Sequence, residues 1–265
     1  MKSIALSIAK LDPNSINEDS VFASSSIIAI SDGAGGGGLY AEKWSAYLIA
    51  NIPKYPITSF EQLDEWIENI WEPYYNECEE LAKKSGGLLL DKFYNEGSFA
   101  TLAIAWKESN DVVRWMSYGD SVVFHYNIET RILEHSFISL ADFNNPPYLI
   151  NCKDPLNERG MRSGIFNIRE SSCVFCTSDA LAFHVILLYE LSQCSKYYSD
   201  LEMLEQSNNK NTQCLKNAMA QDIDFETSIK ELLNCRSEYE LELYIRKLFK
   251  MGLIPLDDYS IAIMH

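Results

Sequence analysis

"SIIAISDGAGGGGLYAEKWSAYLIANI", residues 26–52, reads as an apolar strand, six residues of which five are glycine, and an amphipathic helix. A glycine-rich turn between strand and helix ordinarily suggests a phosphate cradle, and residues 33–38, "GAGGGG", satisfy the spacing GxGxxG. The dinucleotide-binding unit also needs a second parallel strand after the helix, with an acid about 20 residues on. Here the helix is followed by more helical pattern, to about residue 85. A Walker-type loop needs Lys then Ser or Thr after the last glycine, and this chain has Leu39 and Tyr40. A nucleotide-binding protein is therefore the least favoured reading. Glycines permit positive φ and close backbone approach. They do not explain the acid where the strand ends, Asp32. A carboxylate there, with the Gly33 carbonyl beside it, is a donor set for a hard divalent cation.

Acids recur at other strand ends. "NEDS" puts Glu18 and Asp19 just before a strand. "SYGDSVVF" puts Asp120 at a turn between strands. "FCTSDAL" puts Asp179 where an apolar strand gives way to a helix, and "LDDYSIAIM" puts Asp257 and Asp258 before the last strand. Singly, Asp179 reads as a helix N-cap and Asp120 as a turn residue. Several carboxylates gathered at one edge repel each other, and stay ionised together mainly when cations neutralise them.

Hydrophobic residues make up 47% of the 265 and charged residues 23%, ordinary for a chain that buries a core. The net charge of −16 argues against nucleic acid and against an anionic membrane, both of which attract Lys/Arg clusters. It suits solubility, and also divalent cations. "MKSIALSIAK" is too short and interrupted for a signal peptide, and no apolar run approaches the ~20 residues of a membrane span. The seven cysteines read as reduced cytoplasmic thiols. Cys173 and Cys176 form a CxxC within an apolar strand pattern, where positions three apart face opposite ways, so a zinc or redox role is disfavoured.

Along the chain, residues 3–9 resemble an edge strand and 20–31 a hairpin or two consecutive strands. Residues 59–86 form a long helix with Leu63, Trp66, Ile67, Ile70 and Trp71 at helical spacing, kinked at Pro73. Residues 97–108 read as a buried strand and 111–136 as two or three antiparallel strands turning at Gly119–Asp120. "FNIRESSCVFCTSDALAFHVI" reads as strand, strand, turn, helix. Residues 182–250 are almost wholly helical, with a polar break at 206–213, before a last short strand. Such segregated runs predict an α+β protein: two packed antiparallel β-sheets flanked by helices, not an alternating parallel fold. One domain spanning 1–265 is expected, with a helical elaboration at about 190–250.

These motifs, in this order, resemble the metal-dependent type 2C serine/threonine protein phosphatases, bacterial type. The match covers "NEDS" (17–20), "ISDGAGGG" (30–37), "GSFATLAI" (97–104), "YGDSVVF" (118–124), "TSDAL" (177–181) and "DDYSIAI" (257–263). No one motif is specific, but six in register are. The resemblance implies that Asp32 bridges two Mn²⁺ or Mg²⁺ ions and that the Gly33 carbonyl binds one of them. It implies that Asp179 and Asp257 complete the first metal's ligands, that Glu18 holds the second largely through water, and that Asp19 supports them from behind. Asp120 matches an acid of a third, weaker metal site. The reaction implied is hydrolysis of phosphoserine or phosphothreonine on a partner protein by a water activated between two metals. No Cys is followed five residues later by Arg, so the cysteine-phosphatase loop is absent.

There are departures. Members usually carry an Arg, the phosphate clamp, three residues before the Asn of "NED"; here that position is Asn14, and Lys10 is the nearest substitute. Ala34 stands where the eukaryotic branch has a His, and Asp258 where Asn is usual. The reading that follows is a cytoplasmic, monomeric phosphatase acting on a phosphorylated protein, opposing a Ser/Thr kinase. Asp32 and Lys10 are its catalytic residues. The alternative is a weak or inactive phosphatase-like binding module.

Overall fold

The computed structural model describes residues 3–12, 14–221 and 223–264. Twelve strands and eight α-helices are named among them. One sheet has the order β1 (Ile4–Ile8), β12 (Tyr259–Met264), β11 (Ser172–Thr177), β7 (Val122–Asn127), β8 (Ile132–His135). The other has the order β10 (Met161–Asn167), β6 (Val112–Tyr118), β5 (Leu102–Lys107), β3 (Ile27–Ser31), β2 (Ser20–Ala23). Every pairing is antiparallel, as is the small ladder of β4 (Phe99–Ala100) with β9 (Ile150–Asn151).

The period-2 alternation of strands divides each one between two cores. Ile28, Ile30, Ala103, Ala105, Val123, Val174, Cys176 and Ala262 form a layer between the sheets. Their neighbours Ala29, Leu102, Ile104 and Trp106 face the other way, onto α1 (Ala41–Ala50), α2 (Phe60–Ser85) and α3 (Gly87–Glu96). Phe124, Tyr126, Phe175, Ile261 and Ile263 face α4 (Asp179–Ser192), α6 (Lys210–Gln221), α7 (Phe225–Leu233) and α8 (Glu238–Lys250). Burial on both faces explains why β5 and β11 read as continuous apolar runs. Cys173 and Cys176 fall in different cores, as their spacing predicts.

The α2 pattern holds, with Pro73 inside the helix. Its indole-bearing neighbours are anchored by hydrogen bonds: Trp44 Nε1 donates to the Ile150 carbonyl at 3.0 Å, and Trp66 Nε1 to that of Asn51 at 3.1 Å. The helical stretch differs in detail from the expectation. The polar break shrinks to residues 207–209, between α5 (Tyr198–Gln206) and α6. Helix α3 has no counterpart in the sequence reading, because Gly86 and Gly87 read as a stop.

Antiparallel order places the acid-bearing ends together. Ser178 at the end of β11 donates its amide to Ser260 at the start of β12, and Thr177 pairs with Val122 at the start of β7. In the other sheet Ser31, ending β3, pairs with Ser20, opening β2, and Thr101, just before β5, donates to the Asp32 carbonyl at 2.8 Å. The Gly119–Asp120 turn crosses from one sheet to the other at that same edge.

Candidate metal centre

Five aspartates gather at this edge, and their mutual charge shows in their proton affinity. Burial pushes the Asp32 carboxyl well above the usual range, and Asp19, Asp179, Asp120 and Asp257 push it further. Asp179 is raised in the same way, by burial and then by Asp120, Asp257 and Asp19. Both are ringed by protein while keeping some surface open to solvent. Burial raises Asp120 to about 6, against which Arg162 and Lys210 act. Asp19, only 7% exposed, is raised to about 7, chiefly by burial. The Ser260 and Ser178 hydroxyls lie near enough to lower it but outside hydrogen-bond geometry, so both Asp19 carboxylate oxygens lack a partner.

Glu18 and Asp257 sit at one rim with Lys10. The Lys10 ammonium is 3.4 Å from Asp257 Oδ1 and 3.7 Å from Glu18 Oε2. Burial works against its charge; Asp257, Asp258 and Glu18 outweigh that, and its pKa is raised. Lys10 is thus at the site, but its charge is shared between two acids, which it must release before it can clamp a substrate. Asn14 is exposed and turned into its own loop, where its amide donates to Asp12 Oδ1 at 3.1 Å. Asp258 is a staple: its two oxygens accept the backbone amides of Lys10 (2.8 Å) and Glu18 (2.9 Å). That ties the first loop to the last strand with both carboxylate oxygens, where an Asn would offer one acceptor oxygen and an NH2 that only donates.

The glycine loop works by close approach, not by positive φ. A Cβ on Gly33 would lie 2.6 Å from the Glu18 carbonyl and 2.7 Å from that of Ala41, and one on Gly35 would overlap the Glu18 carboxyl. None of the five glycines has positive φ; the left-handed residue entering α1 is Tyr40, at φ 57°. Gly33 bridges Ala100, and its amide donates to Glu18 at 3.2 Å. A floor of small hydroxyls beneath the acids was not singled out in the sequence, although Ser or Thr flanks almost every acid motif. Thr101 Oγ1 and Ser121 Oγ are 2.6 Å apart, Ser31 Oγ donates to the Thr101 carbonyl at 2.8 Å, and Ser178 Oγ accepts the Ser260 amide at 3.1 Å.

Among the described residues, no three His, Cys, Asp or Glu side chains converge tightly enough to chelate one cation as they stand. The donor chemistry nevertheless fits hard divalent cations: carboxylates from five loops, an adjacent backbone carbonyl, and a buried aspartate with neither oxygen partnered.

The chain has the α+β sandwich fold of bacterial serine/threonine phosphatases. Three solved structures share it along nearly the whole length. The catalytic domain of the serine/threonine protein phosphatase PstP, in complex with two manganese ions, is 14% identical, with TM-score 0.57 over 99% of this chain and 96% of that one. The serine/threonine phosphatase Stp1 from Staphylococcus aureus is 12% identical, with TM-score 0.54 over 99% and 94%. PppA, a regulatory component of the type VI secretion system in Pseudomonas aeruginosa, is 13% identical, with TM-score 0.54 over 99% and 96%. At such identities the likeness is one of fold. No family profile and no curated protein matches the sequence.

Proposed function

We propose that the chain is a metal-dependent protein phosphatase of the type 2C family, hydrolysing phosphoserine or phosphothreonine on a partner protein. The observation that carries this is the acid cluster at the sandwich edge: carboxyls that burial and mutual repulsion push into holding protons, in a chain with the fold of bacterial serine/threonine phosphatases. Asp32, the Gly33 carbonyl, Asp179, Asp257 and Glu18 would hold two Mn²⁺ or Mg²⁺ ions, with Asp120 beside a third. When bound, such ions supply Lewis acidity to phosphoryl oxygens and make water acidic near neutral pH. The chain's own groups fix the donors. Asp258 positions the Glu18 backbone, Gly35 leaves room for its carboxyl, and Thr101 holds the Asp32 amide at 3.3 Å. Lys10 keeps Glu18 and Asp257 together until cations take its place.

A cysteine nucleophile is disfavoured. Burial pushes the Cys173 thiol up to about 12, and raises Cys78 and Cys235 to about 11. The exposed Cys194 lies beyond the far end of α4, a 14-residue helix of about 21 Å that begins at Asp179. Among the described residues no helix is long and apolar enough to cross a membrane. The enzyme proposed is cytoplasmic and monomeric and opposes a Ser/Thr kinase.

A second reading, a phosphatase-like binding module, rests on Asn14 and on the engagement of Lys10 by two acids. Hydrolysis of para-nitrophenyl phosphate and of a phosphothreonine peptide separates the two. Wild type and Asp32→Asn would be compared in Mn²⁺, Mg²⁺ and EDTA. The phosphatase reading expects turnover that requires metal and is lost in Asp32→Asn. Folded wild type inert in every metal favours the module.

A further inference from the structure

Asn14 stands where the resembled family carries its clamping Arg, and on that rim Lys10 is engaged by Glu18 and Asp257. The opposite rim carries another cation. Between Gly119–Asp120, the loop through residues 137–148 and the start of β10 lies a cavity of about 300 Å³. Its walls include Phe137, Pro146, Pro147 and Tyr148, and its charges are Asp120, Asp142, Arg159 and Arg162. Asp120 lines the cavity and also belongs to the acid cluster, so it joins the two.

Arg162 is built in, not loosely exposed. Its Nη1 donates to the Gly119 carbonyl at 3.1 Å and its guanidinium lies 4.9 Å over the Phe137 ring. Gly119, at φ 91°, leaves no room for a Cβ, which would sit 2.8 Å from Thr101 and from the Tyr148 carbonyl. The carbonyl that orients Arg162 is therefore fixed by the same turn that presents Asp120. Yet Arg162 Nε has no hydrogen-bond partner, and among the described residues neither Arg162 nor Arg159 has a carboxylate oxygen within 4.0 Å. Burial lowers the Arg162 pKa, with Asp142 and Asp120 only partly compensating. A half-buried cation held without a counter-ion is costly, and a ligand anion would relieve that cost. The helical elaboration supports the same wall. Asn209 and Asn211, flanking the first residue of α6, donate to Asn144 Oδ1 at 2.6 and 3.0 Å, and Asn144 ends the 3-10 turn Leu140–Asn144 that carries Asp142. Lys210, between the two asparagines, brings a second positive charge to the Asp120 side.

Building on the phosphatase reading, we propose that this cavity is the substrate's anion subsite, in which Arg162 supplies the positive charge that position 14 lacks. Two substrate groups share the required chemistry: the phosphoryl group itself and an acidic side chain next to the phosphoresidue. Arginine suits either, through paired N–H donors.

The test compares wild type, Arg162→Ala and Arg162→Lys on para-nitrophenyl phosphate and on phosphothreonine peptides with Glu or Lys beside the phosphoresidue. Arg162→Ala is expected to raise KM roughly 10- to 100-fold with kcat little changed, and Arg162→Lys to recover only part of that. A rise common to all substrates identifies the anion as the phosphoryl group, and one confined to the Glu peptide identifies it as the neighbouring side chain. Unchanged KM throughout, or a fall in kcat alone, overturns the proposal. Anisotropy of the fluorescein-labelled Glu peptide in EDTA supplies a readout without turnover. Wild type that binds this peptide but hydrolyses nothing sinks the phosphatase reading alone, and Arg162→Ala must still weaken binding about tenfold. Wild type that does not bind it, or binding unaffected by Arg162→Ala, sinks the subsite.

Discussion

On one rim of the acid cluster Lys10 leans onto Glu18 and Asp257, in reach of solvent; on the other, Asp120 is half-buried and, among the described residues, Arg162 has no carboxylate oxygen within ion-pair distance. The first rim is neutralised from within the chain. The second is poised with opposite charges held apart. Between them lie Asp19, Asp32 and Asp179, which no side-chain cation touches in hydrogen-bond or ion-pair geometry among the described residues. The difference underlies the two proposals: cations at the centre, and a substrate anion on the Arg162 side.

The largest expected effect comes from breaking the centre. Asp32→Asn should lower metal-dependent hydrolysis by at least about a thousandfold, while raising metal-free stability by about 1–2 kcal/mol, because it removes one member of a self-repelling set. Thermal melts in EDTA and in Mn²⁺, run beside the assay, would show whether activity and stability move in opposite directions. Loss of both together would mean that Asp32 is simply structural.

Next comes pH. Asp19 at about 7 and Asp120 at about 6 are both raised above their unfolded value of 3.8. Between about pH 4 and 7 these carboxyls, and Glu190 raised to about 8 by burial, bind more protons in the native chain than in the unfolded one, and their contribution to stability falls as pH rises; His135 and His184, lowered to about 4 by burial, act against it. In EDTA the protein should melt several degrees higher at pH 5 than at pH 7.5, a difference of a few kcal/mol. Mn²⁺ should flatten the profile. A metal-free profile that rises from pH 5 to 7.5 would show that these carboxyls ionise freely in the native state.

Removing the internal cation sharpens the contrast between rims. Lys10→Met should destabilise the metal-free protein by about 0.5–1 kcal/mol, since the pairs are partly exposed. It should also tighten Mn²⁺ binding roughly two- to fivefold, because the ammonium no longer competes for Glu18 and Asp257. Weaker Mn²⁺ binding would assign Lys10 a supporting role in the loaded site. The smallest effects are expected from cysteines outside the cluster. Cys194→Ser should change melting and turnover by no more than about 0.5 kcal/mol each. Cys176→Ala, between the sheets, should cost about 1–2 kcal/mol of stability and leave turnover per folded molecule intact.

The sandwich was legible in the sequence because its strands announce themselves twice: by apolar runs buried on both faces, and by Gly, Asp and Ser at their ends. That punctuation also carried the acids, since an antiparallel order brings such ends to one edge. Helix α3 was hidden by Gly86–Gly87. The glycine loop was legible as a place of close backbone approach, but not as to what approaches, because the contacts of Gly33 with Glu18 and Ala41 are made only in the folded chain. Arg162 was invisible. It stands in "MRSGIFN", an unremarkable strand, and its meaning comes from Gly119, Phe137 and Asp120, which lie 25 to 43 residues away.

The most direct measurement is calorimetric titration of the full chain with Mn²⁺ at pH 7, in two buffers of different ionisation heat, for wild type and Asp32→Asn. The account predicts binding by wild type with release of protons, as carboxyls raised by burial and mutual repulsion ionise around the cation. Asp32→Asn should lose most of that binding. No heat with wild type up to millimolar Mn²⁺, or binding without proton release that Asp32→Asn leaves unchanged, would contradict the claim that the acid cluster is a divalent-cation centre.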